Sequence, residues 1–187
     1  MLDLKKLISD FFQSVNVNQI DIYNEFSLQH ELGIYLRAVL PTYKVQFERN
    51  VTFFAMDKRE TIKKEIDISI FSEDKKEKYA VELKYPLNGQ YPEQMYSFVK
   101  DIRFMEQLKE LGFNKTAAVA LVSDKPFYEG KHNSGIYRFF RDEKSVYGEV
   151  YKPTGQNNHY DFVVLSGKHD FEWVNLNQGR KFYIVEI

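Results

Sequence analysis

A chain of 187 residues, 43% hydrophobic and 16% aromatic, has the material for one packed domain, which excludes wholesale disorder. With 26 Lys plus Arg against 27 Asp plus Glu, it is not a protein that coats nucleic acid electrostatically, although a local basic rim is compatible with the balance. The absence of cysteine rules out disulfides, thiolate zinc sites and cysteine nucleophiles.

Residues 1–12 contain no apolar run long enough for a signal peptide. No segment approaches the roughly 18 apolar residues of a membrane span, so a cytoplasmic protein without membrane contact is expected. Leu4, Leu7, Ile8 and Phe11 fall at helical spacing and predict a short amphipathic helix over 3–13. A second helix is expected over 24–40, with Leu28, Leu32, Leu36 and Val39 as its buried stripe and Pro41 forbidding continuation. An extended segment over 43–51 and a charged turn at 57–59 follow.

Residues 65–71 (Glu-Ile-Asp-Ile-Ser-Ile-Phe) alternate strictly, which places Ile66, Ile68 and Ile70 on one face and Glu65, Asp67 and Ser69 on the other. A polar turn over 72–78 reverses the chain. The next strand, 79–85, carries Val81 and Leu83 on one face and Ala80, Glu82 and Lys84 on the other, before Pro86, Asn88 and Gly89 end it. A long helix over 92–111 closes at Gly112, and the apolar run 116–122 has the character of a strand buried on both faces. Beyond it, 136–140 is expected to be helical and 145–151, 161–165, 171–174 and 181–186 to be short strands. The order predicts one α/β domain: a mixed sheet flanked by helices over 24–125, with an antiparallel β-rich elaboration over 126–187.

Acid-x-Lys pairs are common here, and most sit in turns, where charges are solvated. Glu82 and Lys84 differ because they interrupt an apolar strand on one face, where desolvating a charge costs several kcal/mol unless something compensates. Asp67 repeats the anomaly on the preceding strand, and the intervening turn makes the two strands neighbours. Two converging carboxylates repel, and a shared cation relieves them; Mg²⁺ suits such oxygen ligands. Lys84 beside that cation has three possible roles: orienting the attacking water, deprotonating it, or stabilising charge on a phosphate. The bland alternative is a set of exposed ion pairs on an edge strand. Lys58-Arg59, Lys63-Lys64 and Lys75-Lys76-Glu77-Lys78 are candidates for a basic rim or for solvated hairpin ends. His30, His132, His159 and His169 show no metal-ligand spacing.

The pattern Glu65-Ile-Asp67 followed by Glu82-Leu-Lys84 resembles the PD-(D/E)XK nuclease superfamily, with Ile66 in place of the proline that names the motif. The likeness covers roughly residues 25–122 and implies a restriction-endonuclease-like core. It also implies Mg²⁺ (or Mn²⁺) held by Asp67, Glu82 and the main-chain carbonyl of Leu83, with Lys84 as the catalytic lysine. The family often adds a Glu from the preceding helix, which puts Glu31 forward as a ligand and Glu25 as a weaker candidate near the helix start. Gln94 through Phe98 is similar to the Gln-x-x-x-Tyr motif of RecB-type members; Phe98 lacks the hydroxyl, which Tyr91 or Tyr96 would have to supply. The function implied is Mg²⁺-dependent hydrolysis of DNA phosphodiester bonds, with a homodimer as one way to cut both strands. The alternative is a catalytically inactive nuclease-like domain that binds nucleic acid or a protein partner.

Overall fold

The computed structural model describes residues 1–54, 61–155 and 160–187. Helix α1 (Leu4–Asn18) opens at Asp3, whose carboxylate accepts the Lys6 N–H at 2.9 Å. It buries Leu4, Ile8, Phe11, Phe12 and Val15, a stripe that drives its docking at roughly 1.5–3 kcal/mol per side chain. Helix α2 (Glu25–Val39) starts in a capping box in which the side chains of Asn24 and Ser27 accept each other's backbone N–H. Leu28, Leu32 and Leu36 are buried as expected; Val39 is exposed, and Leu40, one residue past the helix end, is buried instead. Gly33 lets α2 lie close to the sheet, since a Cβ there would fall 2.1 Å from the ring of Phe47.

Strands β1 (Lys44–Asn50), β2 (Glu65–Phe71) and β3 (Lys78–Lys84) form an antiparallel meander. Helix α3 (Tyr91–Glu110) then crosses the sheet and returns the chain as β4 (Lys115–Val122), parallel to β3. After a π-helical turn at Arg138–Glu143 come β5 (Ser145–Tyr151), β6 (Phe162–Asp170), β7 (Val174–Asn175) and β8 (Lys181–Glu186). The main sheet is mixed and six-stranded, in the order β1-β2-β3-β4-β8-β7, and β5 and β6 pair as a separate antiparallel sheet. The expected C-terminal elaboration therefore divides: β8 joins the main sheet beside β4, while β5 and β6 stand apart. Among the described residues, no helix is long and apolar enough to cross a membrane.

Two cores sandwich the sheet. Tyr79, Val81, Leu83, Val119, Leu121 and Ile184 pack towards α1 and α2; Ala80, Ala118, Ala120 and Tyr183 pack towards α3 and the β5–β6 sheet. The expected strict alternation of β2 fails at its first turn. Ile68 and Ile70 join the α1/α2 core, but Ile66 joins the α3 core. Both neighbours are irregular there: the β2–β3 ladder runs only from Phe71↔Lys78 to Ile68↔Val81, and β1 skips a pair opposite Asp67, at Glu48, whose φ is 49°.

Candidate metal centre

Where the ladder stops, side chains take over from it. The Asp67 carboxylate accepts the Leu83 N–H at 2.7 Å, and Glu82 Oε1 accepts the Asp67 N–H at 3.1 Å. Each acid thus satisfies a backbone donor freed by the parting strands, which fixes both carboxylates at the mouth of the split. Glu82 is wholly buried, next in register to Ala118 on β4, while Lys84 lies beside Ala120. These small neighbours leave room for two long charged side chains on a face otherwise filled by α3.

Lys84 does not touch the acids of the split directly. Its ammonium lies 3.1 Å from Glu25 Oε1 and donates to the Leu83 carbonyl at 3.2 Å, and Glu25 Oε2 accepts the Tyr85 N–H at 3.0 Å. Glu25, ranked below Glu31 on sequence, is therefore the α2 acid at the site. No hydrogen bond or ion pair joins the Glu31 side chain to another described residue. Helical geometry explains the difference: at about 100° per residue, Gln29 falls about 40° from Glu25, whereas Glu31 falls about 120° away. Gln29 uses that position, donating to the Asp67 carbonyl at 2.8 Å and to Glu48 at 2.6 Å.

Two residues that the sequence did not single out as site members complete the cluster. Lys63, just before β2, forms an ion pair with Glu82 Oε2, and its ammonium also lies 2.6 Å from Asp101 Oδ1 on α3. Asp101 is buried, and neither of its oxygens receives an aligned hydrogen bond. On sequence, Lys63 is a candidate only for a basic rim or a solvated hairpin end. Asp101 carried a legible signal, since it falls between Phe98 and Met105 on the buried stripe of α3.

Gln94 lies apart from the acids, with its amide donating to Asn88 at 3.1 Å. Phe98 is buried in the core, and the two tyrosines named as substitutes for its missing hydroxyl are engaged elsewhere, Tyr91 with Asp124 and Tyr96 with Asp161. His30 and His132 are exposed, and His169 pairs with Glu106 at 2.8 Å. Lys58, Arg59 and His159 lie outside the described residues. In the run 75–78, Lys75 caps the ring of Phe53 and Lys78 that of Phe113, so these cations serve packing.

The electrostatics are those of a crowded acid pocket. Burial pushes Glu82 up to about 8, helped by Asp67 and Asp101 and opposed by Lys63. Burial also pushes Asp67 up to about 6, against the Leu83 N–H and the lysines. Burial lowers the pKa of Lys84, but Asp101 and Glu25 outweigh it and hold the group above the usual lysine value. Lys84 is thus an ammonium at neutral pH in the metal-free protein.

No described group of three or more His, Asp or Glu side chains converges in metal-ligand geometry. The oxygens that would hold a divalent ion are those of Asp67, Glu82 and the Leu83 carbonyl, each residue already engaged by a hydrogen bond or ion pair. Mg²⁺ fits that set, because it is commonly held by one or two carboxylates and keeps several waters. An open groove lined by Glu48, Lys63, Lys64, Glu65 and Asp67 gives access from solvent. The chain matches none of the family models, curated proteins or solved structures with which it was compared.

Proposed function

We propose that the chain is a Mg²⁺- or Mn²⁺-dependent phosphodiesterase that hydrolyses DNA, built on a restriction-endonuclease-like core. The observation that carries this is the crossed bonding over the split between β2 and β3, where Glu82 accepts the Asp67 N–H and Asp67 accepts the Leu83 N–H, with Lys84 two residues beyond Glu82 on the same face. The order α2, β1, β2, β3, α3, β4, with β4 parallel to β3, is the helix, meander, helix, strand sequence that this core would have.

In this mechanism Asp67 and Glu82, with the Leu83 carbonyl, would hold the divalent ion. When bound, the ion supplies Lewis-acid polarisation of the phosphate and neutralises the charge that develops on it. Lys84, kept protonated and aimed by Glu25, stabilises the same developing charge and orients water. Gln29 holds the backbone of Asp67 in place from α2. Gln94, at the opening of α3, would contact the metal-bound water or the nucleic-acid backbone. Cutting both strands of a duplex would call for two such sites, which a homodimer supplies.

The test is cleavage of plasmid and oligonucleotide DNA with Mg²⁺ or Mn²⁺ by wild type, Asp67→Ala and Lys84→Ala. Equal traces of activity in all three would reject the proposal, because the cleavage would then be contamination. A second function is favoured by one observation, the Lys63 ammonium seated between Glu82 and Asp101, where an acid pocket would otherwise draw a metal ion. On that basis the domain binds nucleic acid or a protein partner without cutting. Calorimetry with Mg²⁺ separates the two, since only the enzyme requires a divalent ion at Asp67 and Glu82.

A further inference from the structure

Glu82 has no vacant oxygen. Its Oε1 is taken by the Asp67 N–H and its Oε2 by Lys63. The N–H belongs to the backbone of β2 and cannot leave without moving the strand. Lys63 can leave: it is a flexible side chain, 30% exposed, on the short segment before β2, and it lines the open groove that reaches Asp67. An ammonium and a dication on one carboxylate oxygen repel each other, which disfavours their binding Glu82 together. Asp101 adds an independent sign. It is a buried carboxylate whose oxygens receive no aligned hydrogen bond, and it faces the same ammonium.

We propose that Lys63 is an exchangeable internal cation: it holds Glu82 and Asp101 together in the metal-free protein and swings into the groove when a divalent ion binds at Asp67 and Glu82. This rests on the divalent site proposed above and adds its regulation. The metal affinity of the protein is then set by competition with its own lysine. Asp101 is the positioning residue that retains Lys63, and it is left facing the incoming dication after exchange.

The experiment is calorimetric titration of the intact chain with Mn²⁺, without nucleic acid, for wild type, Lys63→Met, Lys64→Met and Asp67→Ala, with thermal melts in parallel. Removing the competitor is expected to tighten Mn²⁺ binding about tenfold if the exchanged state is about a tenth populated in the wild type. Lys64→Met removes the same charge from an exposed position in the same groove and is expected to change affinity little, because exposed charge is screened. Lys63→Met should also melt lower without metal and gain more from Mn²⁺ than wild type does. Should Lys63→Met fail to fold, Lys63→Met/Asp101→Asn removes the unpaired buried acid and is expected to bind Mn²⁺ more tightly than Asp101→Asn alone.

Binding by the wild type that is lost in Asp67→Ala but no tighter in Lys63→Met would overturn the exchange and leave the metal site standing. Equal tightening by Lys64→Met would also overturn it, as a general field effect. Absence of Mn²⁺ binding in both wild type and Lys63→Met would overturn the exchange and the metal site together.

Discussion

Asp101 and Glu106 lie on the same helix, both buried, and they are treated in opposite ways. Glu106 accepts from the Ser166 N–H at 2.9 Å, the Gly167 N–H at 2.8 Å and Arg103 at 2.9 Å, and its other contact is the His169 ring at 2.8 Å. These partners overcome the effect of burial and hold its carboxyl down at about 2. Among the described residues Asp101 has a single ion pair, with a lysine from a neighbouring segment, and burial pushes its carboxyl up. The contrast shows that burial alone does not decide what a carboxylate does. A full set of fixed donors makes Glu106 a clamp between α3 and β6, while Asp101, held by one movable cation, is available for a change of state.

The sharpest way to separate the two regions is to damage each. On the proposed function, Asp67→Ala or Lys84→Ala lowers the rate of DNA cleavage by about a hundredfold or more, with the melting transition retained. Glu106→Ala does the reverse: cleavage survives at permissive temperature, but unfolding in urea shows a loss of about 3 kcal/mol, because several buried donors lose their acceptor. Replacing each acid on α3 by its amide is subtler. Glu106→Gln is expected to cost more than about 1 kcal/mol, and Asp101→Asn less than that. Equal costs would dissolve the comparison.

Proton linkage gives an intermediate effect. The folded-state pKa of Glu106 lies below its ordinary value of 4.5, so its stabilising contribution is fully present above that value and is lost as pH falls towards about 2. Over this window the wild type should lose up to about 3 kcal/mol more than Glu106→Gln, measured by urea unfolding at successive pH values. The smallest contrast is on α2. Glu31→Gln should leave stability within about 0.5 kcal/mol and cleavage unchanged, whereas Glu25→Gln, which loosens Lys84, lowers the cleavage rate several-fold.

The order of helices and strands through β4 was legible because alternation and helical spacing there follow burial. Asp67, Glu82 and Lys84 stood out because a charge inside an apolar strand is rare. Lys63 and Asp101 did not, since lysines before a strand and acids on a helix are ordinary; only the place of Asp101 on the Phe98–Met105 stripe marked it. Choosing Glu25 over Glu31 required the phase of α2 against the sheet, which depends on how closely Gly33 lets it approach Phe47. Ile66 was misassigned because strict alternation assumes an unbroken ladder. The tail was hardest, since β8 finds its partner β4 across the intervening β5–β6 sheet, a pairing that local pattern does not encode.

The parting of β2 from β3 also makes the site observable through its amides. The N–H groups of Asp67 and Leu83 are held by carboxylates rather than by carbonyls of a continuous ladder. Their exchange with deuterated solvent is therefore tied to the protonation and ligation of two side chains, while neighbours such as Ile68 and Val81 follow the opening of the sheet. These two amides thus form a native gauge of what occupies the pocket, readable without substrate or turnover.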